Sequence, residues 1–213
     1  VPHLLAMICE LGLDFEGFHL FAGSQNLRAE ALIEAQCQSY TLAQRLAEQA
    51  PAPVLTLNLG GGFGIPYFPG EAPLEVEPVI QNLLALAEKA GQDFPTARLA
   101  IELGRYLVGE AGVYVCRVLD KKVSRGHTFL ITDGGMHHHL AASGNFGQVI
   151  RKNYPVSIGN KMEAATKEVV NITGPLCTPL DILAEKMELP AAEPGDLIVI
   201  HQSGAYGASV SPQ

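Results

Sequence analysis

The sequence predicts an α/β plus β chain: parallel βα units over residues 1–112, then a mostly antiparallel β domain over residues 113–213. Three observations carry this. Short apolar runs alternate with helical periodicities as far as Leu103, and the order strand, helix, strand, helix, strand argues for parallel pairing. Beyond about Ala111 the helical spacing gives way to short apolar runs separated by polar turns. In the first part, Val54-Leu-Thr-Leu-Asn-Leu-Gly-Gly-Gly-Phe-Gly64 runs a strand-like stretch into three consecutive glycines. A buried parallel strand reads as such an apolar run, and glycines at its end allow close backbone approach.

The elements follow in order. Leu4, Leu5, Ile8 and Leu11 form a helical stripe, with Gly12 placed as a C-terminal cap. Phe18-His-Leu-Phe21 is a short strand leading into Ala22-Gly-Ser-Gln25, and Asn26 is placed to cap the next helix. That helix runs to about Gln49 with Ile33, Cys37, Tyr40, Ala43 and Ala47 on one face, and Pro51 and Pro53 end it. After the glycine-rich strand and a Pro/Gly loop over residues 66–73, Val76, Val79, Ile80, Leu83, Leu84 and Ala87 recur at helical spacing. Residues 99–103 form another strand, which meets Gly104 and Arg105. In the second part, residues 113–119 and 128–132 read as antiparallel strands joined by Ser124-Arg-Gly126, and residues 169–173 and 197–201 read similarly. Residues 180–187 alone read as a helix there.

Composition narrows the function classes. A chain of 213 residues, 47% hydrophobic and 17% charged, can bury a sizeable core. Its net charge of −8 and lack of a Lys/Arg block argue against nucleic-acid and anionic-membrane partners. Cys9, Cys37, Cys116 and Cys177 have no close spacing, which fits a reducing, cytoplasmic setting rather than a disulfide framework or zinc knuckle. No membrane span is expected, since no run reaches the roughly 18 apolar residues one requires. The start lacks the layout of a signal peptide and has no initiator Met, so the chain is expected to be part of a longer one.

Three successive strand ends carry polar groups at matching positions: His19 with Ser24, the glycines 60–62, and Glu102 with Gly104 and Arg105. In a (β/α) barrel such ends share one mouth. Turned backbone amides and an arginine fork suit a phosphate. An imidazole can lie flat on an aromatic ring, and a glutamate in an apolar strand needs a cation or an N–H. An aromatic nitrogen base bearing a phosphate meets all three demands. Each feature also has a plainer reading: a ligand-free turn, a structural histidine, a helix-start ion pair.

The motifs resemble those of pyridoxal-phosphate decarboxylases of the ornithine/diaminopimelate type. His19-Leu-Phe-Ala-Gly-Ser-Gln25 is similar to their His-x-x-x-Gly-Ser-Gln, and Gly60-Gly-Gly-Phe-Gly64 to their Gly-Gly-Gly-Phe-Gly. Glu102-Leu-Gly-Arg-Tyr106 resembles Glu-Pro-Gly-Arg-Tyr, with Leu103 where proline is usual. Gly174-Pro-Leu-Cys-Thr-Pro-Leu-Asp181 resembles Gly-Pro-x-Cys-x-x-x-Asp, and Gly204-Ala-Tyr-Gly207 resembles Gly-Ala-Tyr. The resemblance implies an alanine-racemase-like (β/α)8 barrel, present here in part, followed by a β domain. It implies pyridoxal 5'-phosphate as cofactor, with Glu102 at the pyridinium N–H and His19 stacked on the ring. Ser24, Gly61, Gly62, Gly104, Arg105 and Tyr206 would hold the phosphate. Cys177 would be the acid that returns a proton to the substrate, reaching across from a partner subunit of a homodimer with shared sites. Asp133 and Asp181 fall at family positions near the substrate or the dimer seam, and turn or cap roles are equally open for them.

Departures accompany the resemblance. No lysine here has the Val-Lys-Ala-Asn-like context of the family's Schiff-base lysine, so the chain is expected to cover about the second half of such an enzyme. Thr178 stands where an acidic residue often grips a distal amine. The segment 133–155 lacks the arginine of diaminopimelate decarboxylases and looks most like the branch associated with exosortase systems and carrier-protein-tethered amino acids. The triplet His137-His138-His139 is not expected to bind metal, because consecutive residues alternate direction in a strand. Three readings result: a decarboxylase of an amino acid or its derivative, an inactive relative that binds a partner, and a racemase on the same fold, against which the Gly-Pro-x-Cys motif speaks.

Overall fold

The computed structural model describes residues 1–146, 148 and 151–212. Gly147, Val149 and Ile150, inside the 133–155 segment, and Gln213 lie outside the described residues. The chain divides into two compact units, residues 1–66 with 72–104 and residues 67–71 with 105–213.

The first unit is built of βα repeats. Helix α1 (Pro2–Glu10) ends at Leu11, and Gly12 takes the left-handed φ of +62° that a helix end favours. Strand β1 (Gly17–His19) leads to α2 (Ala29–Ala47) and β2 (Thr56–Asn58) to α3 (Glu77–Asp93), and β3 (Arg98–Ala100) is followed by the short α4 (Gly104–Val108), which belongs to the second unit from Arg105 on. The sheet order is β1-β2-β3, all parallel, as the alternation of strands and helices predicts. Leu57 from the central strand and Leu59 just after it pack with Leu5, Tyr40, Leu86 and Phe94 into the core. The face that α2 buries is turned from the expected one: Leu32, Gln36, Tyr40 and Ala43 are inward and Cys37 is exposed. A buried glutamine belongs to this stripe because α3 satisfies it: Asn82 Nδ2 donates to Gln36 Oε1 at 2.8 Å. On α3, Val79, Leu86 and Ala90 are buried, while Ile80 and Leu84 are exposed.

The second unit is a six-stranded mixed sheet: β4 (Tyr114–Ser124), β5 (His127–Thr132), β6 (Val156–Ile158), β7 (Lys167–Thr173), β8 (Ile182–Pro190) and β9 (Leu197–Ile200), in the order β6-β9-β4-β5-β7-β8. Its end strands β6 and β8 touch, so the sheet nearly closes on itself. β4 and β5 form the expected antiparallel hairpin, with Arg125 and Gly126 at positive φ in its turn. Four of the five pairings are antiparallel, but β5 and β7 run parallel. Val118, Leu130, Ile158, Ile172, Leu183 and Ile198 fill the interior.

One expectation is overturned. Residues 180–187 read as a helix, yet residues 182–190 form strand β8 paired antiparallel with β7. Leu, Ala, Glu, Lys and Met all favour helix locally. Burial of Leu183, Ala184 and Leu189 and a ladder to β7 outweigh that preference. The ladder is irregular around Ile172, and Lys186 sits there at φ +52°.

Candidate functional site

In the first unit the strand register sets the site. His19 pairs with Asn58, and Asn58 with Ala100, so the carboxyl ends of three parallel strands reach one rim. Ladder-like bonds continue past the strands: Leu20 N to Asn58 O at 2.9 Å, Leu59 N to Ala100 O at 3.0 Å, and Glu102 N to Gly60 O at 2.8 Å. This brings the turn at residues 60–62 against Glu102. Gly60 and Gly62 take φ of +72° and +91°. A Cβ on Gly61 would fall onto the Glu102 carbonyl, so only glycine permits this approach.

Three side chains meet on the rim. His19 Nε2 lies 3.0 Å from Glu102 Oε1, and Asn58 Nδ2 donates to the same oxygen at 3.1 Å. Asn58 Oδ1 in turn accepts the Gly60 N–H at 2.8 Å. Glu102 and His19 are about half exposed, with side-chain exposures of 48% and 59%. Among the described residues, Glu102 Oε2 has no hydrogen-bond partner. A carboxylate with one oxygen oriented and the other accessible can accept an N–H from a ligand. Beside it, Ser24, Gln25, Asn26 and Gly61 line a cavity of about 280 Å³. Serine hydroxyl and turned glycine amides around such a hollow suit an anion. The donor set and the glycine cradle therefore fit a phosphorylated nitrogen heterocycle such as pyridoxal phosphate.

In the second unit Arg105, the residue after Gly104 at the start of α4, lies over two rings, 5.4 Å from the Tyr67 centroid and 4.9 Å from that of Tyr206. Tyr206 is exposed and held at φ +59°. Cation–π contact on two sides restrains the guanidinium while leaving its N–H edge for an acceptor. Cys177 is exposed, on the loop that joins β7 to β8. Thr178 shares this loop, and its hydroxyl accepts the Leu180 N–H at 3.3 Å.

Asp181 is 2% exposed, and its carboxylate accepts the Met136 N–H at 2.6 Å on Oδ1 and the Leu176 N–H at 2.9 Å on Oδ2. It clasps the loop after β5 to the residue that precedes Cys177, and Gly135 and Gly174 pack directly on it. Asp133 is exposed and accepts the Arg117 N–H at 2.7 Å, next to the β4–β5 register shift between Val118 and Asp120. The three histidines lie in a turn after β5, not in a strand. The rings of His137 and His138 are 3.8 Å apart, whereas His139 is fully buried. His139 Nδ1 accepts the Ala142 N–H at 3.2 Å, so Nε2 carries the proton and donates to Ser203 Oγ at 2.9 Å. Burial lowers the His139 pKa to about 4. Among the described residues no three His, Cys, Asp or Glu side chains gather as metal ligands.

The structure thus brings His19, Gly61, Gly62 and Glu102 together in one unit, with Ser24 lining the adjoining hollow. In the other it stacks Arg105 on Tyr206 and sets Cys177, Thr178 and Asp181 on one loop. Sequence reasoning gave Gln25 only as a motif position with no role and did not single out Asn58 or Tyr67. Asn58 could have been found by the argument applied to Glu102, since an amide in an apolar strand needs a partner. The partners of Gln25 and Tyr67 are set by tertiary contacts.

Comparison with known proteins agrees with this chemistry. The family described as pyridoxal-dependent decarboxylase, C-terminal sheet domain, matches residues 14–204. The L-glutamyl-[BtrI acyl-carrier protein] decarboxylase of Niallia circulans is 42% identical over 202 residues, 93% of this chain and 47% of that protein. The diaminopimelate decarboxylase of a Synechocystis strain is 37% identical over 163 residues, 75% of this chain and 34% of that protein. Among solved structures, diaminopimelate decarboxylase from M. jannaschii in complex with L-lysine superposes with a TM-score of 0.79 at 25% identity, over 99% of this chain and 47% of that one. That from Helicobacter pylori, also with L-lysine, gives 0.77 at 27% identity, over 99% and 50%. The chain spans about half the length of the relatives it matches most fully.

Proposed function

The chain belongs to the pyridoxal-dependent decarboxylase family, and from that premise we propose that its parent protein decarboxylates an amino acid, or an amino acid tethered to a carrier protein, with pyridoxal 5'-phosphate. The observation that carries the proposal is the convergence of His19, Asn58, the triple-glycine turn and Glu102 on one rim of a parallel sheet. The carrier-tethered substrate is favoured by the 42% identity to a decarboxylase named for one.

Pyridoxal phosphate, when bound, supplies an electron sink for the bond to the departing carboxylate. The protein's share is placement and proton control. Glu102 would accept the ring N–H and keep that proton on the nitrogen, its carboxylate steadied by Asn58 and His19. His19 would lie against the ring face. Ser24, Gly61, Gly62, Gly104, Arg105 and Tyr206 would hold the phosphate, Arg105 presented by its two tyrosine rings. Cys177 would return a proton to the carbon that loses CO2. Asp181 would act as the clasp that fixes the Cys177 loop, and Asp133 and Thr178 would border the substrate. Leu176 and Leu180, 41% and 56% exposed on the Cys177 loop, support a homodimer with shared sites, in which a partner covers them. Among the described residues no helix is long and apolar enough to cross a membrane, and the scattered free cysteines support a cytoplasmic setting.

The test is CO2 release by the protein expressed from its complete gene, with carrier-tethered L-glutamate, meso-diaminopimelate and L-ornithine, with and without added cofactor. Release that requires pyridoxal phosphate is the expected result. Racemisation without CO2 would select the racemase reading, and neither turnover nor cofactor binding would select a binding protein.

A further inference from the structure

Two loops meet at the hollow beside Glu102: residues 22–26 after β1 line it, and the loop of residues 60–65 after β2 contributes Gly61. They are locked backbone to backbone. Asn26 N donates to Gly62 O at 2.8 Å and Gly64 N donates to Asn26 O at 2.9 Å, a bridge like that of parallel strands. A Cβ on Gly62 would come 2.6 Å from the Gly23 carbonyl oxygen, and one on Gly64 2.9 Å from that of Asn26. The Gln25 side chain closes this lock. Its Nε2 donates to the carbonyl of Ile65, and its Oε1 accepts the N–H of the same residue at 3.3 Å. One primary amide, offering a donor and an acceptor, thus pairs with both polar groups of one backbone residue. Gln25 does so at φ +55°, a left-handed conformation that costs a residue with a Cβ. Ser24 precedes it and lines the hollow with Gly61, and Gly62 is tied into the lock through its carbonyl, so the spacing of these groups depends on the lock.

We propose that Gln25 is a positioning residue that sets the width of the phosphate cradle formed by Ser24, Gly61 and Gly62. The proposal rests on the cofactor reading above. It makes no contact between Gln25 and the cofactor; it assigns Gln25 to the geometry of the groups that hold the anion. Glutamate in its place keeps the size but loses the donor, and alanine loses both bonds.

The test compares pyridoxal phosphate with phosphate-free pyridoxal on the apo form of the complete gene product, by spectroscopic titration, with apo-protein melting followed alongside. Affinity for pyridoxal phosphate should fall about tenfold for Gln25→Ala, the scale of two lost hydrogen bonds, and by a smaller factor of about three for Gln25→Glu, which loses one, while affinity for pyridoxal stays within about twofold in both. Unchanged affinity for pyridoxal phosphate in both variants would overturn the proposal. So would an equal loss for both ligands, or failure of both variants to fold, since either assigns Gln25 to general stability. If the unaltered protein binds no pyridoxal phosphate, the cofactor reading itself fails.

Discussion

Cys177 stands exposed, with a hydrophobic residue on one side and Thr178 on the other, on a loop fixed from beneath by the Asp181 carboxylate. A thiol there is available as an acid but adds nothing to the core. Cys177→Ala should therefore leave cofactor binding and folding intact while slowing or misdirecting protonation, read from product identity and deuterium incorporation. Unchanged turnover and product would remove the role. His139 makes a different kind of prediction. Its burial between the edges of Tyr114 and Tyr154 holds it neutral, with a pKa of about 4 against about 6.5 for a free imidazole. The unfolded chain then binds more protons than the fold between these values. Stability should fall as pH drops through 6.5 and level off below about 4, a loss on the order of 3 kcal/mol. Denaturant unfolding at pH 7 and pH 5 checks this. His139→Gln should flatten that part of the profile, and an unchanged slope would show that other groups set it.

At the scale of elements, the glycine turn and β8 show two ways in which local sequence relates to structure. The turn follows from its residues: three glycines after an apolar strand permit the positive φ at Gly60 and Gly62 and the contact of Gly61 with the Glu102 backbone. Gly61→Ala should therefore cost about 1–3 kcal/mol and weaken cofactor binding, because backbone must move to admit the methyl. Calorimetry with and without pyridoxal phosphate measures both. β8 goes the other way. Its helix-forming residues adopt a strand because β7 offers a ladder and the interior offers burial for Leu183. Those gains arise from the ladder to the preceding strand and from burial inside the sheet, which propensity does not contain. The same holds for the parallel β5–β7 pairing and for the turned face of α2, where a buried Gln36 answers to Asn82. His19, the glycines and Glu102 were legible because each is costly where it stands unless something meets it. Asn58 was open to the same argument, whereas the role of Gln25 was not legible, since its partner is the Ile65 backbone, which only the fold brings near.

For the whole molecule, family membership rests on a match from residue 14 to residue 204, while the chain spans about half of its fuller relatives. The order of motifs along the chain made the family readable from sequence; the substrate was not, because Thr178 and the segment 133–155 depart from the better-known pattern. If sites are shared between subunits, Glu102 and Cys177 of one site come from different chains. Mixing the Glu102→Gln and Cys177→Ala proteins should then raise formation of the correct product above the level of either protein alone. No recovery, in a mixture shown to exchange subunits, would contradict the shared site.

The central claim is that the strand ends bearing His19, Gly60 to Gly62 and Glu102 form one seat for a phosphorylated pyridine. A crystal structure of the complete gene product with pyridoxal phosphate tests it most directly. The account predicts the Glu102 carboxylate within hydrogen-bond distance of the pyridine nitrogen and the phosphate at Ser24, Gly61 and Gly62. A cofactor bound away from that rim, or with its ring nitrogen turned from Glu102, would contradict it.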